Sequence, residues 1–286
     1  MLLWAIVLFR DNKGYRQKVA VVSGATGGIG RILCHRLRQR GYRVVGLSRR
    51  ESLSSETICV DCMVTCDLTD AATIDEAART IRHICGGIDL FVFCAGTISP
   101  QPVADLRRDA VMEQIQINLV GVMLLTKAIL PTMVKGSHII YTNSMAAIFP
   151  LADSSVYTAS KFGLRGFALA LGQELRPRNI RVSSIFPGSV DTAMLRTEME
   201  QGGSVLNFMS VPCAPETIAE WILVTAAREH AENFPSTCDR IFCDLFLWFP
   251  FILRLCLPFM TVWSRVGRAR YRRRCLKNRS AGVSSG

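Results

Sequence analysis

Short apolar runs alternate with stretches of helical spacing along residues 18–186. Residues 18–23 are an apolar run that ends in glycines and predict a buried strand; 28–40 then carry helical spacing. Further strands are predicted over 42–47, 58–66, 88–94, 137–142 and 180–186. Helices are predicted over 70–84, over 108–133 with a break before Pro131, and over 155–176, where Pro177 stops the last one. This alternation predicts an α/β fold, a parallel sheet with helices on both faces. No repeat and no long linker interrupts it.

Two stretches depart from the pattern. Residues 191–213 are mixed, polar and glycine-containing, with Met194, Met199 and Met209 among them. An irregular stretch after the sixth strand is expected to be a lid or binding segment, because ligands in such sheets sit beyond the C-terminal ends of the strands; a plain surface loop is the other reading. Residues 241–263 are very apolar, yet Asp244, Pro250, Arg254 and Pro258 interrupt them. A membrane-spanning helix needs about 20 mostly apolar residues. The prolines and charges favour in-plane or re-entrant insertion over a straight span. The other reading is a core strand and helix followed by a solvated tail. The chain therefore divides into an N-terminal apolar and basic segment (1–17), a body (18–240) and an apolar, basic C-terminal extension (241–286).

Composition sharpens this picture. At 49% hydrophobic and 20% charged, the 286 residues are neither disordered nor fibrous. The net charge of +11 sits at the ends: residues 264–286 hold eight basic side chains and no acid, and residues 19–263 are neutral. A neutral body argues against nucleic acid as a partner. The basic tail beside the apolar stretch predicts contact with an anionic membrane surface. Eleven cysteines is an odd number, and residues 1–9 lack the basic flank and cleavage site of a secretory leader. Free thiols in a reducing compartment, with the body on the cytoplasmic side of a membrane, are expected. Cys59, Cys62 and Cys66 raise the question of zinc. Val60, Cys62, Val64 and Cys66 instead alternate as one face of a strand, no second ligand pair follows, and the four histidines are scattered, so no metal is predicted.

Chemistry gathers at a few positions. Gly24, Gly28 and Gly30 stand between the first strand and its helix. Absent side chains let a backbone approach a pyrophosphate, and the helix N-terminus offers free N–H groups and a positive dipole end. Strand before and helix after make a nucleotide site the better reading than a tight turn alone. Tyr157 and Lys161 lie four apart on a helix, with Cβ atoms about 5–6 Å apart. A cation there is expected to lower the phenol from about 10, making it a proton donor and acceptor near neutrality. A solvated helix face is the plain alternative. Ser144, 13 residues before Tyr157, offers a hydroxyl to a carbonyl oxygen that gains charge, or simply caps a turn. Asn118 lies in the helix before the fifth strand, where a kinked or bridged helix is the plain alternative.

These motifs, in this order and spacing, resemble the short-chain dehydrogenase/reductase family in its compact single-domain branch, over roughly residues 18–230. The resemblance implies a Rossmann-type doubly wound sheet and an NAD(P)-dependent oxidoreductase. Tyr157 becomes the general acid/base, Ser144 the carbonyl orienter, and Lys161 the residue that tunes Tyr157 and holds the nicotinamide ribose. Asn118 supports a water relay to Lys161. The implied cofactor contacts are the glycine turn with Ile29, then Ser48 and Arg49 after the second strand, and Asp67 at the adenine. Ala95 and Gly96 follow the fourth strand. Pro187, Gly188, Val190 and Thr192 follow the sixth, with Thr192 at the carboxamide.

Ser23 replaces the family's usual threonine. Phe93-Cys94-Ala95-Gly96 replaces its Asn-Asn-Ala-Gly, removing two amides from the adenosine side and from strand bracing. After the second strand no acid precedes Glu51, and Arg49 suits a 2′-phosphate, so NADP is expected over NAD. The apolar extension predicts a hydrophobic substrate: a lipid, sterol, retinoid or long-chain ketone. A non-catalytic NAD(P)-binding sensor or scaffold is the rival reading, and an extended-branch epimerase or dehydratase finds little room after the sixth strand. Self-association stays open.

Overall fold

Strand β1 (Val19–Ser23) is buried at all five positions and alternates its side chains between two cores. Val19 and Val21 belong to one apolar cluster, Ala20 and Val22 to the other. That is the signature of a strand covered on both faces, and it explains a continuous apolar run where an edge strand would alternate. The computed structural model describes residues 16–49 and 59–283. The expected N-terminal segment up to residue 15, Arg50, Glu51 and the first residue of the predicted third strand lie outside the described residues.

The sheet has seven parallel strands in the order β3-β2-β1-β4-β5-β6-β7. After β1 come β2 (Arg43–Ser48), β3 (Cys62–Thr65), β4 (Ile88–Phe93), β5 (Met133–Thr142), β6 (Arg181–Ile185) and β7 (Glu232–Asn233). The order reverses at β1 and β4, where Val21 pairs with Val45 on one side and with Phe91 on the other. A crevice opens at such a switch point, beyond the C-terminal ends of the strands.

Helices cover both faces. In α1 (Gly28–Gln39), Gly30, Leu33, Cys34 and Leu37 are buried, a stripe at helical spacing. It packs on α7 (Pro215–Ala226), whose Ile218, Ala219 and Ile222 share the same core. The opposite face carries α2 (Ala71–Cys85). The Asp70 side chain caps it through Ala72 N at 2.9 Å, and Gly86, at φ +63°, ends it. Beside α2 lie α3 (Arg108–Ile115), a π-turn (Gln116–Val120), α4 (Gly121–Ile129) and α5 (Ser155–Leu175).

Three features differ from expectation. The segment 191–213 is not irregular: it holds α6 (Ala193–Glu200) and a 3₁₀ turn (Val205–Phe208). A seventh strand, β7, adds Glu232 and Asn233 beside Ser184 and Ile185. The apolar extension is helical, α8 (Thr237–Trp248) followed by α9 (Pro250–Val283), with Pro250 at the start of α9 and Pro258 within it. The inner side of α8 joins the body: Phe246 and Phe242 meet Phe149, and Cys243 is buried with Phe186. Among the described residues, the one helical stretch long and apolar enough to cross a bilayer is Arg108–Thr132, and its Ala110, Val122, Leu125 and Ile129 are buried in the body.

Candidate active site

A cavity of about 640 Å³ opens at the switch point, and every residue predicted for the site lines it except Asn118. At its inner end is the glycine turn. Gly24 has φ +67°, and a Cβ there would meet Ala95 N at 2.7 Å. A Cβ on Gly30 would stand 2.2 Å from Gly24 O. Both positions therefore require glycine on steric grounds. Gly27 precedes α1 without a side-chain cap, so the first N–H groups of the helix border the cavity uncapped. This cradle, which a Cβ would fill, suits the pyrophosphate of a dinucleotide. Thr192 closes it from the far side, its methyl 3.0 Å from where a Gly28 Cβ would be.

The contacts around it are built locally. Thr26 and Ser48 hydroxyls lie 3.4 Å apart, and Arg49 follows at the exposed rim. Asp67 Oδ1 accepts from Thr69 N and Thr69 Oγ1 at 2.9 and 2.8 Å, which fixes the carboxyl at the wall. The two amides missing from 93–94 are replaced by other links. Cys94 N donates to Ser23 O at 3.1 Å, Ala95 N to Ser23 Oγ at 3.4 Å, and Cys94 Sγ lies 3.5 Å from Thr142 Oγ1. Met145 N donates to Pro187 O at 2.9 Å, tying the loops after β5 and β6 together. Gly188 sits against Met145. Val190 bridges Cys213.

The chemical end lies where β5 ends and α5 begins. Ser144 caps the 3₁₀ turn Met145–Ala147 through Ala146 N at 3.1 Å, and its hydroxyl lies near enough to the Tyr157 phenol to favour the ionised form. The turn cap is thus formed, and the same hydroxyl borders the cavity. Lys161 is buried, donates to Thr142 O at 3.1 Å and stands 5.7 Å from the Tyr157 ring centroid.

The expected lowering of the Tyr157 phenol is not what the structure shows. Burial pushes it up to about 12, and the Glu198 carboxyl adds to the rise, against the lowering influence of the Ser144 hydroxyl. Burial likewise pulls Lys161 down to about 8. Spacing alone predicted a shift set by charge; desolvation of both groups outweighs it. Tyr157 therefore holds its proton throughout the neutral range, the state a carbonyl reduction needs.

Asn118 is buried in the π-turn and spends its amide on the backbone. Its Nδ2 donates to Thr97 O at 2.8 Å, and its Oδ1 accepts from Thr97 N at 2.9 Å. Its Nδ2 also reaches Ser160 Oγ at 3.3 Å, so the side chain ties the loop after β4 to α5. A Cβ on Gly96 would lie 3.4 Å from Asn118 Oδ1 and 3.9 Å from Lys161 Nζ, so the loop after β4 separates the two.

Of the outer wall, the segment 191–213 is expected from the sequence to bind ligand and its residues do line the cavity, whereas Phe149, Leu151 and Phe242 escape sequence reasoning. Phe149, Leu151, Leu206, Met209 and Phe242 line that wall, and so does Glu198, whose side chain is buried. An acid placed between Leu195 and Met199, one turn from the apolar positions, is the available signal, diluted by Asp191 and Glu200 nearby.

The arrangement does two things. The glycine cradle, Lys161 and the 187–192 loop would hold a nicotinamide dinucleotide along the inner wall, and that group supplies or accepts the hydride. Tyr157 is placed to give or take a proton at a substrate oxygen in this cavity, and Ser144 to orient that oxygen toward it. One prediction follows for pH. Reductive kcat stays level from about pH 6 to 7 and declines above about pH 8, where Lys161 loses its charge while Tyr157 keeps its proton. A pH–rate profile of wild type and Lys161→Met checks this, the variant being expected to lack that limb.

Comparison with known proteins agrees with the geometry. The family model described as short chain dehydrogenase matches residues 18–203. Carbonyl reductase family member 4 of Danio rerio is 33% identical over 183 residues, 62% of this chain and 77% of that protein. Dehydrogenase/reductase SDR family protein 7-like of Drosophila melanogaster is 27% identical over 269 residues, 88% of this chain and 80% of that one. Among solved structures, a short chain dehydrogenase from Burkholderia cenocepacia, crystallised with NADP, superposes with a TM-score of 0.71 at 24% identity, covering 84% of this chain and 97% of that one. With a tyrosine, serine and lysine gathered beside a glycine cradle at the switch point of a parallel sheet, this chain belongs to the short-chain dehydrogenase/reductase family and is one of its NAD(P)-dependent oxidoreductases.

Proposed function

We propose that the protein is an NADP-dependent oxidoreductase that interconverts a carbonyl and an alcohol on a hydrophobic substrate. One observation carries the reading: a single cavity joins Tyr157, Ser144 and Lys161 to an outer wall of Phe149, Leu206, Met209 and Phe242. Burying an apolar chain there stabilises the complex by roughly 25 cal/mol per Å². The name of the Danio rerio relative supports the reaction class. The test is cofactor oxidation by the purified protein with ketones of graded chain length. Rising kcat/KM with chain length is expected, and a preference for short polar carbonyls would overturn the substrate class.

Arg49 and the NADP in the Burkholderia cenocepacia structure support the cofactor choice. An arginine pairs with a 2′-phosphate only in the phosphorylated cofactor. Arg49→Ala is expected to weaken NADPH about tenfold or more and NADH hardly at all, read by fluorescence titration of both. Equal losses would make Arg49 structural.

The outer face of α8 and α9 supports an anionic membrane surface as partner, with the body on its reducing, cytoplasmic side. Trp248, Phe259 and Trp263 are 78%, 80% and 66% exposed, and Arg265, Arg270 and Arg272 are exposed further along α9. Apolar insertion and charge attraction, about 1 kcal/mol per basic residue near the surface, act on the same helix. Ending the chain before α8 would strip Phe149 of Phe242 and Phe246 and uncover Phe186 where Cys243 packs, so substitutions make the sounder test. Full-length protein is expected to float with phosphatidylserine-containing vesicles, less so at high salt, and Trp248→Glu with Phe259→Glu to abolish flotation. Unchanged flotation of that double variant would move the anchor elsewhere.

A further inference from the structure

Glu198 has no part in the proton transfer assigned to Tyr157 and Ser144, yet it lines the same cavity and is buried. A carboxyl set into a largely apolar wall, with Asn207, Ser210 and Asp239 as its polar neighbours in the lining, is costly unless hydrogen-bonded, and its free oxygen opens to the cavity, where a ligand could pair with it. The protein pairs with one oxygen only. Oε1 accepts from Asn207 Nδ2 at 2.5 Å, and Oε2 takes no hydrogen bond among the described residues. Arg268 of α9 acts on it only at a distance and donates instead to Met199 O at 2.7 Å. The side chain is held in place from behind: a Cβ on Gly203 would stand 2.4 Å from Glu198 Cγ. Glu198 and Tyr157 both line this cavity, so the two groups border one substrate volume.

We propose that Glu198 is a specificity-determining residue that receives an amino or hydroxyl group of the substrate close to the reacting carbonyl. The inference rests on the carbonyl–alcohol reading above and narrows its substrate class to amphipathic ketones that carry a hydrogen-bond donor beside an apolar chain. A site built to bond such a donor rejects the analogue lacking it, because the buried acceptor is then left unpaired. A carboxyl whose pKa burial raises to about 7 suits this role, since an ammonium beside it would draw out its ionised form.

The test compares decyl methyl ketone with its α-amino and α-hydroxy derivatives, using full-length wild type, Glu198→Gln and Asn207→Ala. Wild type is expected to favour at least one derivative about tenfold or more in kcat/KM, mainly through KM. In Glu198→Gln, which can still accept from Asn207, that ratio collapses toward one. In Asn207→Ala the ratio survives. The corresponding amino alcohol should raise the Tm of the cofactor-loaded wild type more than that of Glu198→Gln, a readout independent of turnover. Equal kcat/KM for all three ketones in wild type, or a proportional loss for all in Glu198→Gln, would overturn the proposal and leave the carbonyl-reductase reading standing. Turnover of none of the ketones would overturn that reading, and the role of Glu198 with it.

Discussion

Replacing Tyr157 with phenylalanine lowers kcat by about 10²–10⁴-fold, the range expected for loss of a general acid, and leaves cofactor affinity within about twofold. The substitution removes one oxygen and keeps the ring. The neighbourhood of Lys161, 5.7 Å from the ring centroid, survives, and so does its bond to Thr142 O. Ser144 still holds Ala146 N. Nothing in the glycine cradle touches the phenol oxygen, so the binding and proton-transfer roles separate. Steady-state kinetics with the best substrate from the chain-length series, together with a cofactor titration, read both. Turnover within about tenfold of wild type would remove Tyr157 from the reaction.

The second large effect falls on Gly30. Glycine inside a helix normally costs about 0.5–1 kcal/mol against alanine, so a naive substitution should stabilise α1. Here the added Cβ would lie 2.2 Å from Gly24 O, 2.9 Å from Gly24 C and 3.1 Å from Ala25 Cα. These are backbone atoms of the phosphate cradle, and no rotamer relieves the clash. Gly30→Val is expected to cost about 1–3 kcal/mol of stability from overpacking and to abolish measurable cofactor binding. Gly166→Ala in α5, where a Cβ meets nothing within 4 Å, is the control and should be neutral or slightly stabilising. Thermal unfolding and fluorescence titration of both variants give the comparison.

How much of this was legible beforehand depends on what each element hides. Strands β1, β2, β4, β5 and β6 announce themselves because both faces are covered and few polar residues interrupt the runs. Strand β7 is two residues, Glu232 and Asn233, too short to carry any period. Helix α6 escaped because its inward positions are Leu195 and Glu198. An apolar stripe that contains a buried acid does not read as one. The extension misleads in the opposite sense. Phe246 and Cys243 face the body and Trp248 and Phe259 do not, but all are apolar, so the pattern cannot say which side meets protein. In the site, spacing brought Tyr157, Lys161 and Ser144 together correctly. It could not give the direction of the Tyr157 shift, which depends on burial supplied by residues far along the chain.

The strand order also governs how the chain reaches this state. β1 pairs with β2 about two dozen residues later, but its other edge waits for β4, where Val21 meets Phe91. β6 in turn waits for Ser184 to meet Glu232. Parallel sheets of this kind place few contacts near the diagonal, and each crossover pays its loop-closure entropy before the pairing repays it. During synthesis, the most apolar strand of the sheet therefore has an open flank until α2 and β4 have emerged. Refolding from denaturant should accordingly be slow and dependent on protein concentration, with self-association through that unpaired flank competing against completion of the sheet.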